Sequence, residues 1–157
     1  MKKIKKKEEA AFGAGCFWHI EEVFYKIPGV IETEVGYMGG KEKEFPKPTY
    51  EKVCSNKTGY IEVVHLKFNP SKITYEKLLN IFWKSHDPAS MDKQGADVGV
   101  QYKSVIFYYS KKQKELAEKY KRTYEKEIKR KIVTKIIKAP KFFKAEEYHQ
   151  KYFIKSK

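Results

Sequence analysis

A chain of 157 residues, 41% hydrophobic and 15% aromatic, is long enough to bury a core without disulfide staples and too apolar to stay disordered. Basic residues outnumber acidic ones 34 to 20, a formal net charge of +14. The excess is nearly all lysine, with only Arg122 and Arg130 as arginines, and no RNP motif, zinc finger or base-reading helix goes with it, so nucleic acid is not expected as the main partner.

There is no run of about eighteen apolar residues. Met1-Lys2-Lys3-Ile4-Lys5-Lys6-Lys7 leads into acidic residues rather than an apolar signal core. No membrane span or signal peptide is expected, and the default compartment is the cytoplasm. Cys16 and Cys54 form neither a disulfide framework nor a CxxC or CxxH metal pattern, which suits a reducing environment.

After a basic tail over 1–7, Glu9-Ala10-Ala11-Phe12 reads as the end of a strand, with Gly13 and Gly15 supplying a tight turn. Phe17, Ile20, Phe24 and Ile27 recur at helical spacing, so a helix is predicted over 16–26, stopped by Pro28-Gly29. A β-branched stretch predicts a strand over 31–37; Gly39-Gly40 then opens a polar loop, 41–47, that delivers Pro48-Thr49-Tyr50 and Cys54. Residues 60–68 alternate strictly, placing Glu62, Val64, Leu66 and Phe68 on one face and Ile61, Val63, His65 and Lys67 on the other.

Thr74 caps a helix whose Tyr75, Leu78, Leu79 and Phe82 share a face and which ends near His86. The loop 87–99, with Asp87, Asp92 and Asp97, suits a cleft wall. A strand over 103–109 is followed by the capping-box pattern Ser110-Lys111-Lys112-Gln113 and a helix to about 129 with Leu116, Tyr120, Tyr124 and Ile128 as its apolar stripe. A strand over 132–137 and a short helix over 145–152 complete the chain. The order β, α, β, β, α, β, α, β predicts one α/β (α+β) domain over 1–157, a two-layer sandwich with a mixed, ferredoxin-like sheet.

Two residues carry the chemistry. Cys16 opens a helix, where unpaired amides and the helix dipole favour thiolate over thiol, and Phe17 and Trp18 behind it can wall a small apolar pocket for a neutral, methyl-bearing substrate. Glu62 shares its strand face with apolar residues, so lost hydration raises its pKa and makes it a candidate general acid. The residues alone leave two other classes open: a cysteine hydrolase or acyltransferase with a histidine base, which a carboxyl facing the sulfur argues against, and a basic binding module. His19 is expected to face solvent. His65, His86 and His149 lack ligand spacing, and no metal is expected.

Gly15-Cys16-Phe17-Trp18 with Glu21 resembles the signature of the A-type peptide methionine sulfoxide reductases. Matching blocks follow in order: Gly36-Tyr37-Met38-Gly39-Gly40, Pro48 to Cys54, Thr58 to Val63, His86-Asp87-Pro88, Gln94 to Tyr102, and Ala145 to Gln150. The resemblance runs from about residue 11 to 152. It implies a two-layer α/β fold and a repair reductase that returns methionine S-sulfoxide, free or in proteins, to methionine through a cysteine sulfenic acid.

On the matched positions Cys16 is the nucleophile and Glu62 the proton donor. Phe17 and Trp18 hold the S-methyl group, and Tyr50, Tyr102 and Asp97 contact the oxygen or steady Glu62. Many relatives end in a Gly-rich tail with resolving cysteines, and residues 152–157 carry none. Cys54 is then a candidate resolving thiol, but its position usually packs, so the expected reductant is an external thiol: thioredoxin, glutaredoxin or glutathione. No bound cofactor is implied, and a monomer is expected.

Overall fold

The computed structural model describes residues 7–90, 93–94 and 97–155, with the backbone alone placed at 93, 94 and 97. Most of the basic tail, and Asp92, lie outside the described residues. In chain order the elements are β1 (Glu8–Ala14), α1 (Phe17–Tyr25), β2 (Val30–Met38), α2 (Tyr50–Cys54), β3 (Ile61–Phe68), α3 (Tyr75–Lys84), β4 (Lys93–Gln94), β5 (Asp97–Val98), β6 (Ser104–Tyr108), α4 (Lys111–Ile128), β7 (Lys135–Lys138), β8 (Phe143–Lys144) and α5 (Tyr152–Lys155). Single 3-10 turns sit at Val100–Tyr102 and Glu147–His149.

The main sheet has the order β7-β6-β1-β3-β2-β8, and β4 and β5 form a small hairpin of their own. In its middle four strands, β6-β1-β3-β2, each strand is antiparallel to its neighbours, the ferredoxin-like order expected from the alternation of elements. β7 extends it in parallel beside β6 and β8 caps the other edge against β2. β1 lies between two strands and from Ala10 onward is buried on both faces, which explains the small residues there. A Cβ on Gly13 would stand 2.8 Å from Ile61 Cγ2.

On the helix side Val64, Leu66 and Phe68 of β3 join Phe12, Phe24 and Phe82 in the main core, with Phe12 stacked 5.3 Å from Phe24 and 5.0 Å from Phe82. Burying a ring such as Phe12 stabilises the fold by about 1.5–3 kcal/mol. On the other face Ala11, Met38, Ile61, Val63, Val105 and Phe107 are covered by Ala139 and Phe142 as the chain returns from β7 to β8.

The caps on Thr74 and Ser110 form as the sequence indicates, each side chain accepting the backbone N–H three residues on. Gln113 does not close the box. It accepts Tyr109 N–H and donates to Glu9 O, tying α4 to β1. Two local expectations are corrected. Residues 145–152 form no single helix, because Gln150 bonds Val35 N–H, Val35 O and Ala145 O and pulls the segment against β2. The last long strand begins at Lys135 because Ile132 N–H is taken by the Glu125 carboxylate. Tyr50–Cys54, a stretch with no element expected, is a helical turn capped by Thr49.

Candidate active site

Gly15, at φ +87°, turns the chain out of β1, and Cys16 follows in an extended conformation as the residue preceding α1 rather than within its first turn. Its carbonyl accepts His19 N–H at 3.2 Å and Ile20 N–H at 3.4 Å, while its side chain makes no capping bond. Phe17 N–H, the first amide of α1, donates to Glu62 Oε1 at 3.2 Å. Glu62 is 1% exposed. The carboxyl at the start of β3 thus lies against the residue beside the thiol, at the positive end of the helix.

An aromatic shell surrounds this pair. Phe17 is fully buried, packed 5.8 Å from Tyr37 and 5.1 Å from His149. Trp18 is half-buried. Its indole stacks on Tyr152 at 3.8 Å and 9°, and its Nε1–H donates to His149 Nδ1 at 3.0 Å. Accepting at Nδ1 places the proton of the neutral imidazole on Nε2. Burial keeps the ring neutral by lowering its pKa, against the pull of nearby Glu146.

The third wall comes from α2 and the C-terminal segment. Burial drives the Tyr50 phenol far above its ordinary range, with Tyr102 and a hydrogen bond to Cys54 adding to it. Burial also pushes the Cys54 thiol up, hydrogen bonds from Tyr50 and Gln101 draw it back, and the Glu62 charge adds to the rise. Glu146 holds this wall in place. It accepts Tyr37 O–H and Tyr50 N–H, both at 2.9 Å. Burial works to raise its pKa and is outweighed by those bonds, which hold the carboxyl below its usual value. Tyr37 is the cross-strand partner of Glu62, so Glu146 braces both sides of the site.

The family model for peptide methionine sulfoxide reductase matches residues 8–157. A peptide methionine sulfoxide reductase MsrA of Methanococcus maripaludis (strain C5) is 55% identical over 148 residues, 94% of this chain and 92% of that protein. The chain belongs to the peptide methionine sulfoxide reductase family. An MsrA of Geobacter sulfurreducens is 49% identical over 150 residues, covering 94% of this chain and 91% of that one. Among solved structures, reduced Mxr1 from Saccharomyces cerevisiae superposes with a TM-score of 0.91 at 34% identity, over 96% of this chain and 86% of that one. Mxr1 in complex with Trx2 shares the fold at a TM-score of 0.66 and 24% identity, over 96% of this chain and 91% of that one. The chain is thus an oxidoreductase that reduces methionine sulfoxide.

Within this reductase Cys16, Phe17, Trp18 and Glu62 meet at the start of α1, and Tyr50 stands within electrostatic reach of both Glu62 and Tyr102. Cys54 joins them through Tyr50. Asp97 lies in β5, and its side chain is outside the described residues. His19 is exposed as expected, 4.9 Å from the Phe153 ring. Pattern reading missed Tyr37, Gln101 and Glu146, which have no periodicity to mark them. All three lie in blocks that carried the family resemblance, and only the strand register and the C-terminal return bring them to the site.

Proposed function

We propose that Cys16, as thiolate, attacks the sulfur of a methionine S-sulfoxide while Glu62 gives its proton to the sulfoxide oxygen. The amides opening α1 favour the sulfur anion, and the dry start of β3 favours the carboxylic acid. The S–O bond breaks, methionine leaves, and the oxygen stays on Cys16 as sulfenic acid. Phe17 and Trp18 receive the S-methyl group, and the Tyr50 and Tyr102 hydroxyls, with Asp97, hold the oxygen. The contact between Phe17 N–H and Glu62 supports this reading, because it brings the carboxyl against the residue that follows Cys16.

Two thiols restore the enzyme: the first displaces water from the sulfenic acid to form a mixed disulfide, and the second releases Cys16. An external dithiol of the thioredoxin kind is proposed, the yeast relative being known in complex with Trx2; glutaredoxin or glutathione are the other candidates. The raised Cys54 thiol is a poor internal nucleophile at neutral pH. The work fits the cytoplasm, where thiols are kept reduced; no described helix is long and apolar enough to cross a membrane.

Resolved R and S methionine sulfoxides with dithiothreitol test the reaction: methionine should appear from the S epimer alone, and release from neither would refute it. Intact mass after one substrate equivalent tests the recycling route. A gain of one oxygen supports an external thiol, whereas loss of two hydrogens means a Cys16–Cys54 disulfide.

A further inference from the structure

We infer that β7 and the groove beside it form a docking surface for an extended, acidic stretch of polypeptide, which presents its oxidised methionine to Cys16; this rests on the reaction proposed above. From Lys129 to Lys144 every charged residue is basic, and no acidic residue occurs between Glu127 and Glu146. This run contains β7, which among the described residues pairs with β6 alone. Its other edge offers main-chain groups to an incoming strand, the basis of recognition by strand addition. Ile137, 40% exposed, offers apolar contact on the same strand.

Between β7 and α4 runs an open groove of about 620 Å³. Two of its charged walls are already engaged: Lys121 donates to Thr134 O at 2.9 Å and Glu125 accepts from Ile132 N at 2.8 Å. Exposed Arg122, Lys131 and Lys135 then set the sign of the groove against Glu118. The chemistry that fits is an extended chain with Asp or Glu flanking the oxidised residue.

The position relative to the site is right. Ala14, two residues before Cys16, pairs with Ser104 at the start of β6, and Lys135 at the start of β7 pairs with Val105. The basic mouth of the groove is therefore at the catalytic end of the sheet, two strand spacings or about 10 Å from β1. About three extended residues span that distance.

The test compares three S-sulfoxide substrates of the intact enzyme: a blocked single residue, a nine-residue peptide with acidic flanks, and the same peptide with basic flanks. At low ionic strength kcat/KM for the acidic peptide should exceed that for the basic one by about tenfold, the advantage shrinking with added salt. Lys131→Glu with Lys135→Glu should abolish it, and the milder Gln pair should reduce it, with the blocked residue turned over at the parent rate. N-methylation of alternate peptide amides should weaken the acidic peptide alone. Equal kcat/KM for both peptides, or an advantage that survives the charge reversal, would overturn the inference while leaving the reaction itself intact. So would competition by a single-stranded oligonucleotide with no preference between peptides, since the face would then serve nucleic acid. Loss of turnover on the blocked residue by the parent enzyme would instead count against the reaction.

Discussion

Glu146 touches no expected substrate atom, yet its removal should be among the costliest single changes near the site. Tyr37 is 0% exposed, and its hydroxyl has the Glu146 carboxylate as acceptor at 2.9 Å; the other oxygen takes Tyr50 N–H at 2.9 Å. Each is a bond to an ionised group, and leaving such a donor stranded costs about 1.5–3 kcal/mol. Because Tyr50 N–H is only partly buried, Glu146→Ala should cost about 3–5 kcal/mol in total, and Glu146→Gln, which keeps an oxygen acceptor, about 1–2 kcal/mol. Urea unfolding at pH 7 measures both. The carboxyl is held below the ordinary carboxylate value of 4.5, so its contribution is complete above that value and lost as pH falls through the lower folded one. The gap between parent and Glu146→Gln should therefore close in acid. A cost under about 1 kcal/mol for Glu146→Ala, or equal effects of Ala and Gln, would refute the bracing role.

Trp18→Phe keeps an aromatic face but removes the indole N–H from His149 Nδ1. It should raise KM for sulfoxide several-fold and leave the alkylation rate of Cys16 unchanged, measured by steady-state kinetics and iodoacetamide labelling. His86 is hydrogen-bonded to Phe82 O and Ser104 Oγ, and burial pushes its pKa down to about 4 from 6.5. The folded state holds the neutral ring, so its contribution is full above pH 6.5 and lost as pH falls toward 4, worth about 3 kcal/mol. Urea titrations from pH 7 to 4 should show the loss, and His86→Gln should flatten it.

The strictly alternating residues of β3 announced which face Glu62 occupies, and the glycines before Cys16 announced the turn; both follow from local periodicity and backbone freedom. The ferredoxin-like order was legible because crossover rules leave few ways to arrange those alternating elements. What could not be read was whatever depends on distant pairing. Nothing near residue 146 says that its carboxylate will meet residues 37 and 50, and Gln150 bonds β2 with no helical or strand repeat to reveal it. The small helix at Tyr50 was hidden because five residues show less than two turns of period.

The decisive measurement is a single-turnover comparison of Glu62→Gln with the parent, following methionine release alongside Cys16 alkylation. The amide can still accept Phe17 N–H, so the fold should hold while the proton source is gone. Methionine release slowed by 10² to 10⁴, the usual worth of a positioned acid, with Cys16 still alkylated, is the expected result. Release within about threefold of the parent would contradict the pairing of thiolate and acid.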